Sequence, residues 1–300
     1  MNQRSQSFGH LIAFLTVLVW GTTFVSTKIL LRSFSAAEIL FFRFGIGYLA
    51  LWALYPRRLR LDSRKQELYF AAAGLCGITL YYLFENIALS YSLASSVSVI
   101  VSTAPFFTAL LAHFFLDGEP LRANFVCGFV FAITGIFLIS WNGSAVFHLN
   151  PLGDVLSVLA AFSWAVYVVL GRKISAFGYN TIQTTRHTFL WGLLFMLPVL
   201  ALFGFHPEPA RFGQPLNLAN MSYLALGASA ICFVTWNLAV RLLGAVKTSV
   251  YIYMTPVISI ISSALILHER ITKVTLLGTM LTLSGLLLSE WRIPQKAPAD

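Results

Sequence analysis

Apolar stretches of about twenty residues recur roughly ten times along this chain, with short polar connections between them. A helix crossing the roughly 30 Å hydrocarbon core of a bilayer needs about 20 apolar residues, whereas a water-soluble core does not. The pattern predicts an all-α membrane protein with ten transmembrane helices; nine is an alternative because the fourth and ninth segments are poorly separated from their neighbours. The predicted helices are Phe8–Leu31, Ala36–Tyr55, Leu68–Ser90, Ala94–Leu116, Leu121–Trp141, Leu152–Leu170, Tyr179–Phe203, Met221–Leu243, Thr248–Leu267 and Thr272–Trp291.

Composition supports a membrane location. Hydrophobic residues make up 58% of the chain and charged residues 10%, whereas soluble domains carry about 25% charged residues. The net charge of +9 comes from residues that flank apolar helices, not from one exposed basic face. We therefore expect the lipid bilayer and a small-molecule substrate as partners, with no nucleic acid and no obligate protein partner.

The basic residues also predict the orientation. If the N-terminus is cytoplasmic and ten helices follow, most Lys and Arg residues fall on the cytoplasmic side, as the positive-inside rule requires. The cluster from Arg57 to Lys65 contributes most, and it could also bind anionic lipid. Both termini are expected in the cytoplasm, because the opposite side receives only Arg32, Arg211, Arg270 and Lys273.

Motifs for catalysis or metal binding are absent from the sequence. It contains no H-x-x-x-H, H-E-x-x-H or G-x-S-x-G pattern. Cys76, Cys127 and Cys232 lie within apolar helices at spacings that favour neither a disulfide nor a metal site. We expect no metal and no cofactor. An intramembrane enzyme and a channel or structural scaffold are alternatives to a transporter.

Shifting the chain on itself reveals an internal repeat. It predicts two five-helix units, residues 1–145 and 146–300. Because five is an odd number, the second unit begins on the opposite face, so the units are inverted; transporters built this way hold their substrate near the midplane. At shifts of 144 to 151 residues the aligned pairs include Trp20 with Trp164, Asn86 with Asn237, Pro105 with Pro256, and Glu119 with Glu269.

Several short motifs carry a resemblance to a known family. They are the Trp20–Phe24 stretch, the small residues leading to Pro105, then Glu119, Pro256 and His268-Glu269. With them the whole chain resembles the EamA-type members of the drug/metabolite transporter superfamily. The resemblance implies a 5+5 inverted bundle that exports small metabolites from the cytoplasm. Within the family the chain looks most like the aromatic amino-acid exporters of bacterial inner membranes, the YddG type.

Several tryptophans lie in the middle of predicted helices, although tryptophan normally collects at the membrane interface. A buried indole N–H needs a partner or a cavity. Packing against neighbouring helices explains each one alone about as well, but Trp20 and Trp164 are repeat-related, which favours a central lining. The expected substrate-binding residues are Trp20, Tyr81, Tyr82, Asn86, Trp164, Tyr167, His187, Trp236, Asn237 and Tyr253.

A solute with an apolar ring and a zwitterionic head fits this set. Aromatic faces would stack on the ring, while Asn86, Asn237 and His187 would satisfy the head. A hydrogen-bonded structural role for His187 is an equal alternative.

Glu85 is the acid predicted deepest within a helix. Ionisable groups at that depth face the bundle interior or water. We interpret Glu85 as a proton carrier, as a partner for a substrate ammonium, or, slightly favoured, as a structural counter-charge. Its expected ion-pair partners are Lys28, Arg43 and Arg186.

Helices four and nine carry equivalent serine and proline residues, which predict a hinge or gate. Proline frees a backbone carbonyl one turn earlier, and in a membrane such a carbonyl must be satisfied by protein or water. A simple packing kink is the alternative. The candidate residues are Ser98, Pro105, Ser249 and Pro256.

The sequence thus predicts an inner-membrane exporter of small amphipathic metabolites, with aromatic or other apolar amino acids as the leading substrates. Alternating access through a central cavity is the expected mechanism. Drugs, nucleosides and sugar phosphates are alternative substrates, and both proton antiport and uncoupled diffusion are allowed.

Overall fold

The structure is a computed structural model that describes residues 3–116, 124–141, 151–206 and 208–290. Helices account for nearly all of these residues, none of which lies in a strand, so the all-α prediction is confirmed. The helices are α1 (Gln3–Leu30), α2 (Ala36–Leu54), α3 (Arg64–Tyr91), α4 (Ala94–Phe115), α5 (Asn124–Trp141), α6 (Pro151–Ser175), α7 (Thr181–Phe203), α8 (Pro215–Leu243), α9 (Ala245–Leu267) and α10 (Lys273–Glu290).

Most of these helices suit a bilayer. Eight of those described are long and apolar enough to cross a membrane. The chain is therefore a multi-pass membrane protein. Helices α5 and α10, with 18 residues each, fall outside this set, so the count of ten crossings stays a prediction.

Local side-chain and backbone chemistry fixes where helices begin. At the start of α2, the Ser35 hydroxyl accepts a hydrogen bond from the Glu38 amide, and the Glu38 carboxylate accepts one from the Ser35 amide at 2.8 Å. This capping box satisfies amides that lack intrahelical partners. Pro215 starts α8, because its fixed φ suits the first helical turn. The predicted helices left a connection from Gly204 to Asn220. In the structure that connection ends before Pro215, so the helix start predicted at Met221 is wrong.

The helical backbone is interrupted at equivalent places in the two halves. A π-helical segment lies in α3 at Leu75–Leu80 and another in α8 at Tyr223–Ile231. In α4 the helix breaks at residues 102–103, and in α9 a 3₁₀ segment occupies Val250–Met254. A shift of 151 residues superposes each pair. Such interruptions are frequent at functional sites.

The two repeat-related prolines each follow one of these interruptions. Pro105 lies in the first turn of the α-helical segment Ala104–Phe115, and Pro256 in that of Thr255–Ser262. Proline is tolerated there because the amide it lacks would have no partner. Each proline thus starts a helical segment after a break. Their role as hinges stays a prediction.

Helices α5 and α10 show that the two halves are inverted. A Cβ atom built on Gly135 would lie 2.5 Å from the carbonyl oxygen of Gly278, and one built on Gly285 would lie 2.5 Å from that of Gly128. Residue numbers therefore rise along α5 as they fall along α10, so the helices are antiparallel. Because they are equivalent helices of the repeat, the units run in opposite directions. The boundary predicted at residues 145 and 146 lies outside the described residues.

Helix packing repeats between the halves. Helix α3 packs on α6 as α8 packs on α1, and α4 packs on α6 as α9 packs on α1. Around these four helices, α2 packs on α8, α7 packs on α3, and α4 packs on α9. The result is a buried core at the centre of the bundle, where α1, α3, α6 and α8 meet.

Candidate functional site

Aromatic side chains from four helices meet at this centre. The Trp20 ring lies 5.1 Å from Trp164 and 5.0 Å from Trp236, measured between centroids. Phe233 packs edge-on against both Trp20 and Trp164. Tyrosines from α3 and α6 extend the group. We call it the central aromatic cluster, and its members are Trp20, Tyr81, Tyr82, Trp164, Tyr167, Phe233 and Trp236.

Six of the seven cluster members belong to the set predicted from the sequence. Sequence reasoning missed Phe233, which is fully buried. The repeat contained the signal, because Phe233 is the equivalent of Tyr82 at a shift of 151 residues.

A cavity of about 30 Å³ lies against the cluster. That volume holds about two water molecules. Its walls include Val101 and Ala104 beside the break in α4, and Ile252 and Thr255 at the 3₁₀ segment of α9. Irregular backbone at membrane depth occurs where it is buried in protein or lines a cavity. The two helix breaks therefore face this central cavity as equivalent halves of its lining.

Several polar atoms around the central cavity have no partner among the described residues. The Trp20 indole donates to the carbonyl of Ala228 at 2.9 Å. The indole N–H groups of Trp164 and Trp236 are buried and lack an acceptor in this part of the chain. Burying a donor without a hydrogen bond is costly, so the indole of Trp164, which lines the cavity, favours a polar ligand or water there.

Glu85 lines the central cavity, and only 1% of its surface is exposed to solvent. The Tyr81 hydroxyl donates a hydrogen bond to its carboxylate. Its Oε1 atom has no hydrogen-bond partner in the described chain. No ion pair joins Glu85 to Lys28, Arg43 or Arg186 in the described structure, although the charge of Arg43 acts on Glu85 at longer range.

Backbone carbonyls accept hydrogen bonds from two of these cations, Lys28 and Arg186. Lys28 donates to the carbonyls of Leu89, at 2.8 Å, and Ser92. Arg186 donates to the carbonyls of Tyr55 and Arg57 at 2.5 and 2.6 Å. Leu89, Ser92 and Tyr55 lie at the C-terminal ends of α3 and α2, where helix carbonyls carry partial negative charge and attract a cation.

Arg43 is fully buried beside the cluster. It donates to the Ser229 hydroxyl at 2.7 Å and to the Tyr82 hydroxyl at 3.4 Å. The guanidinium carbon lies 4.2 Å from the centroid of the Tyr82 ring, a cation–π geometry. The Nη1 atom has no partner among the described residues.

The residues predicted to hold a zwitterionic head are engaged elsewhere. His187 contacts Glu67 at 2.8 Å, and Trp191 donates to the same carboxylate at 2.6 Å, so His187 does not line the central cavity. Asn237 accepts from Tyr167 at 2.8 Å and donates to Thr185 at 3.0 Å.

Asn86 and Tyr253 also lie away from the central cavity. The Asn86 amide donates to the carbonyl of Ala36 at 3.1 Å, although its Oδ1 has no partner in the described chain. Tyr253 lines a much larger cleft of about 1030 Å³. We call this space the α9 cleft; His10, Arg172 and Lys247 line it at the end of the bundle where α1 begins.

At the opposite end of the bundle, the carboxylate of Glu269 joins the two halves. Glu269 follows α9 and accepts hydrogen bonds from the amides of Ala94 and Ser95 at 2.8 and 3.2 Å. It also accepts one from the Ser95 hydroxyl at 2.8 Å. We call these contacts the Glu269 latch. Sequence reasoning noted Glu269 as a family motif and as the repeat equivalent of Glu119, which lies outside the described residues. The serines assigned to a gate, Ser98 and Ser249, are both buried, and they lie close to the interruptions of α4 and α9. The Ser98 hydroxyl donates to the carbonyl of Ser95.

Comparison with protein families decides the assignment. The model of the EamA-like transporter family matches residues 7–141 and again residues 151–291. The chain belongs to the EamA-like transporter family. The two matches reflect the repeated units of the fold, and the predicted resemblance to the drug/metabolite transporter superfamily is confirmed. This EamA-like protein is a transporter and not an enzyme.

Curated relatives of this EamA-like transporter agree with that role. An uncharacterized transporter of Archaeoglobus fulgidus is 30% identical, covering 93% of this chain and 96% of the relative. A probable terminal-alkyne amino-acid exporter of Streptantibioticus cattleyicolor is 27% identical, over 91% and 90%. A probable amino-acid metabolite efflux pump of Escherichia coli is 25% identical, over 94% and 95%. A solved crystal structure shares the fold, with a TM-score of 0.68, 20% identity and coverage of 94% and 96%.

Proposed function

We propose that this transporter exports small amphipathic metabolites, in particular aromatic and other apolar amino acids, by alternating access through the central cavity. The observation that carries the proposal is the central aromatic cluster around a cavity with unpartnered polar atoms. Aromatic faces bind apolar rings and chains, and the polar atoms suit a charged head. Two of the relatives are named as exporters of amino acids or their metabolites, which supports this substrate class.

The small volume of the central cavity fits one step of such a cycle. A cavity of about 30 Å³ is too small for an amino acid, so the surrounding helices must separate to admit one. The Glu269 latch closes one end, while the α9 cleft opens the other. We place the protein in the bacterial inner membrane with both termini in the cytoplasm, so that the α9 cleft faces the cytoplasm.

Counterflow into proteoliposomes tests the function. Purified protein is reconstituted with a high internal concentration of phenylalanine, and uptake of labelled phenylalanine is followed. We expect saturable uptake that leucine and tryptophan compete for, and that a nucleoside and a sugar phosphate do not. Preferential competition by the nucleoside or the sugar phosphate would assign another substrate class, and flux that never saturates would contradict a carrier.

Substitutions in the cluster test where the solute binds. Trp164→Ala and Tyr82→Ala remove ring contacts worth about 0.5–1.5 kcal/mol each, so apparent affinity for phenylalanine should fall about 2- to 10-fold. Trp52→Ala is the matched control, because Trp52 is 52% exposed on the outside of the bundle. Equal effects of all three changes would contradict the placement of the site.

A further inference from the structure

Two opposite charges are buried close to the central cavity without touching each other. Glu85 and Arg43 are 1% and 0% exposed, and no ion pair joins them in the described structure. Each has an atom without a hydrogen-bond partner among the described residues, Oε1 of Glu85 and Nη1 of Arg43. Buried charges are costly unless they are paired or hydrogen-bonded. Their arrangement therefore favours a ligand that carries both signs of charge.

Tyr82 contacts Arg43 and lines the same cavity as Glu85. Its ring stacks under the guanidinium of Arg43 at 4.2 Å, and its hydroxyl oxygen accepts from Arg43 at 3.4 Å. Tyr82 also lines the central cavity, as Glu85 does, whereas Arg43 does not. The hydroxyl proton of Tyr82 has no acceptor among the hydrogen bonds of the described chain. A hydroxyl that accepts a hydrogen bond from a cation becomes a stronger donor. Arg43 therefore strengthens Tyr82 as a hydrogen-bond donor to an anionic group in the cavity.

The repeat shows that the fold itself does not require this polar group. At a shift of 151 residues Glu85 corresponds to Trp236 and Tyr82 to Phe233. The second half therefore builds the same position with two apolar rings. Arg186, which corresponds to Arg43 at a shift of 143 residues, binds carbonyls near the end of α2. Among the described residues that line the cavity, Glu85 of the first half thus supplies the only carboxylate, with no counterpart in the second half.

We propose that Glu85 binds the ammonium group of a zwitterionic amino acid, and that Tyr82, positioned and polarised by Arg43, binds its carboxylate. The apolar side chain of the solute then lies against the ring of Trp164, which the second half contributes to the cavity. This inference rests on the proposed function and names the chemical groups recognised. It replaces Asn86, Asn237 and His187, whose side chains bind protein groups.

Thermal stabilisation of the detergent-solubilised protein tests the site without requiring transport. The probes are L-phenylalanine, 2-phenylethylamine, which lacks the carboxylate, and 3-phenylpropanoate, which lacks the ammonium. A hydrogen bond to a charged group is strong enough to change affinity about tenfold or more. The unmodified protein should bind phenylalanine at least tenfold more tightly than either analogue.

The variants should give crossed results. Glu85→Gln should weaken phenylalanine and 2-phenylethylamine at least tenfold and leave 3-phenylpropanoate unchanged. Tyr82→Phe should weaken phenylalanine and 3-phenylpropanoate and leave 2-phenylethylamine unchanged. Arg43→Gln should repeat the Tyr82→Phe pattern, because Arg43 acts through Tyr82. Glu208→Gln is the control, since the Glu208 side chain is 71% exposed outside the cavity.

Tyr82→Phe keeps the aromatic ring, so it tests the site even if the loss of a buried charge prevents folding. Equal weakening of all three solutes by Glu85→Gln and Tyr82→Phe would show a structural role and overturn the proposal. So would an unmodified protein that fails to prefer phenylalanine. Charge discrimination in binding without counterflow would instead contradict export alone, so the two failures are distinguishable.

Discussion

At the residue scale, Gly77 and Tyr167 show how tightly the cluster is built. A Cβ atom on Gly77 would lie 2.2 Å from Cδ2 of the Tyr167 ring. The ring is fully buried, and its hydroxyl donates to Asn237 at 2.8 Å. The ring therefore packs directly on the backbone of α3. This contact fixes Tyr167 between the Trp164 ring and Asn237.

Gly77→Ala should disturb this contact. The added methyl overlaps the Tyr167 ring, and overpacking of a buried site costs about 1–3 kcal/mol. We expect a lower unfolding temperature and weaker phenylalanine binding. Gly45→Ala in α2 is the matched control, because nothing lies within 4 Å of its added Cβ. If both variants unfolded at the same temperature as the unmodified protein, the close packing would be contradicted.

The sequence predicted the aromatic residues of the site better than its polar ones. Tryptophan in mid-helix has few explanations, so Trp20, Trp164 and Trp236 pointed to the bundle centre. Polar residues such as Asn237 and His187 have many partners available, and the actual ones, Thr185 and Glu67, belong to other helices. Helical spacing places a side chain on a face but does not identify the group opposite it. The sequence therefore could not separate a structural hydrogen bond from a binding contact.

At the element scale, the Glu269 latch joins the two halves where α4 begins. The first turn of a helix carries amides without intrahelical partners, and a carboxylate there interacts favourably with the helix dipole. Lys28 adds a favourable charge interaction with Glu269. The latch therefore joins the start of α4 to the segment that follows α9, and we interpret it as the closed gate of the proposed transport cycle.

Glu269→Gln should loosen that end. Loss of the charge at a partly buried helix start costs up to about 2 kcal/mol, which shifts a two-state equilibrium roughly 5- to 30-fold. A cysteine replacing Ala104, which lines the cavity, should then react several-fold faster with an impermeant maleimide added from the latch side. The background lacks the native cysteines. Glu67→Gln, on α3 beside His187, is the control; an equal change there would show that the latch does not gate the cavity.

Most helices could be placed from the sequence, because bilayer thickness fixes both their length and their apolar character. Matching Asn86 with Asn237 and Pro105 with Pro256 also predicted the repeat. The π-helical segments at Leu75–Leu80 and at Tyr223–Ile231 could not be foreseen. Their sequences read as ordinary apolar helix, since the extra residue per turn is accommodated by tertiary packing and not by local propensity.

At the scale of the whole molecule, the two ends of an approximately symmetric bundle differ. One end is closed by the Glu269 latch, while the α9 cleft of about 1030 Å³ occupies the other. Alternating access in inverted-repeat transporters exchanges the conformations of the two repeats around a fixed site. With the proposed cytoplasmic N-terminus, the α9 cleft lies on the cytoplasmic side, and we interpret the asymmetry of the ends as an inward-facing state of the proposed cycle.

Labelling from each side of the membrane tests this state and the orientation together. Val250 lines the α9 cleft, and Glu208 lies in the connection before α8, at the latch end. In a cysteine-free background, Val250→Cys should react with an impermeant maleimide in inside-out vesicles and stay unlabelled in intact cells. Glu208→Cys, the control, should show the reverse.

Adding Glu269→Gln should slow labelling of Val250→Cys several-fold, because opening the latch end favours closure of the cleft. Labelling of Val250→Cys in intact cells would contradict the orientation, and an unchanged rate with Glu269→Gln would show that the two ends are not coupled.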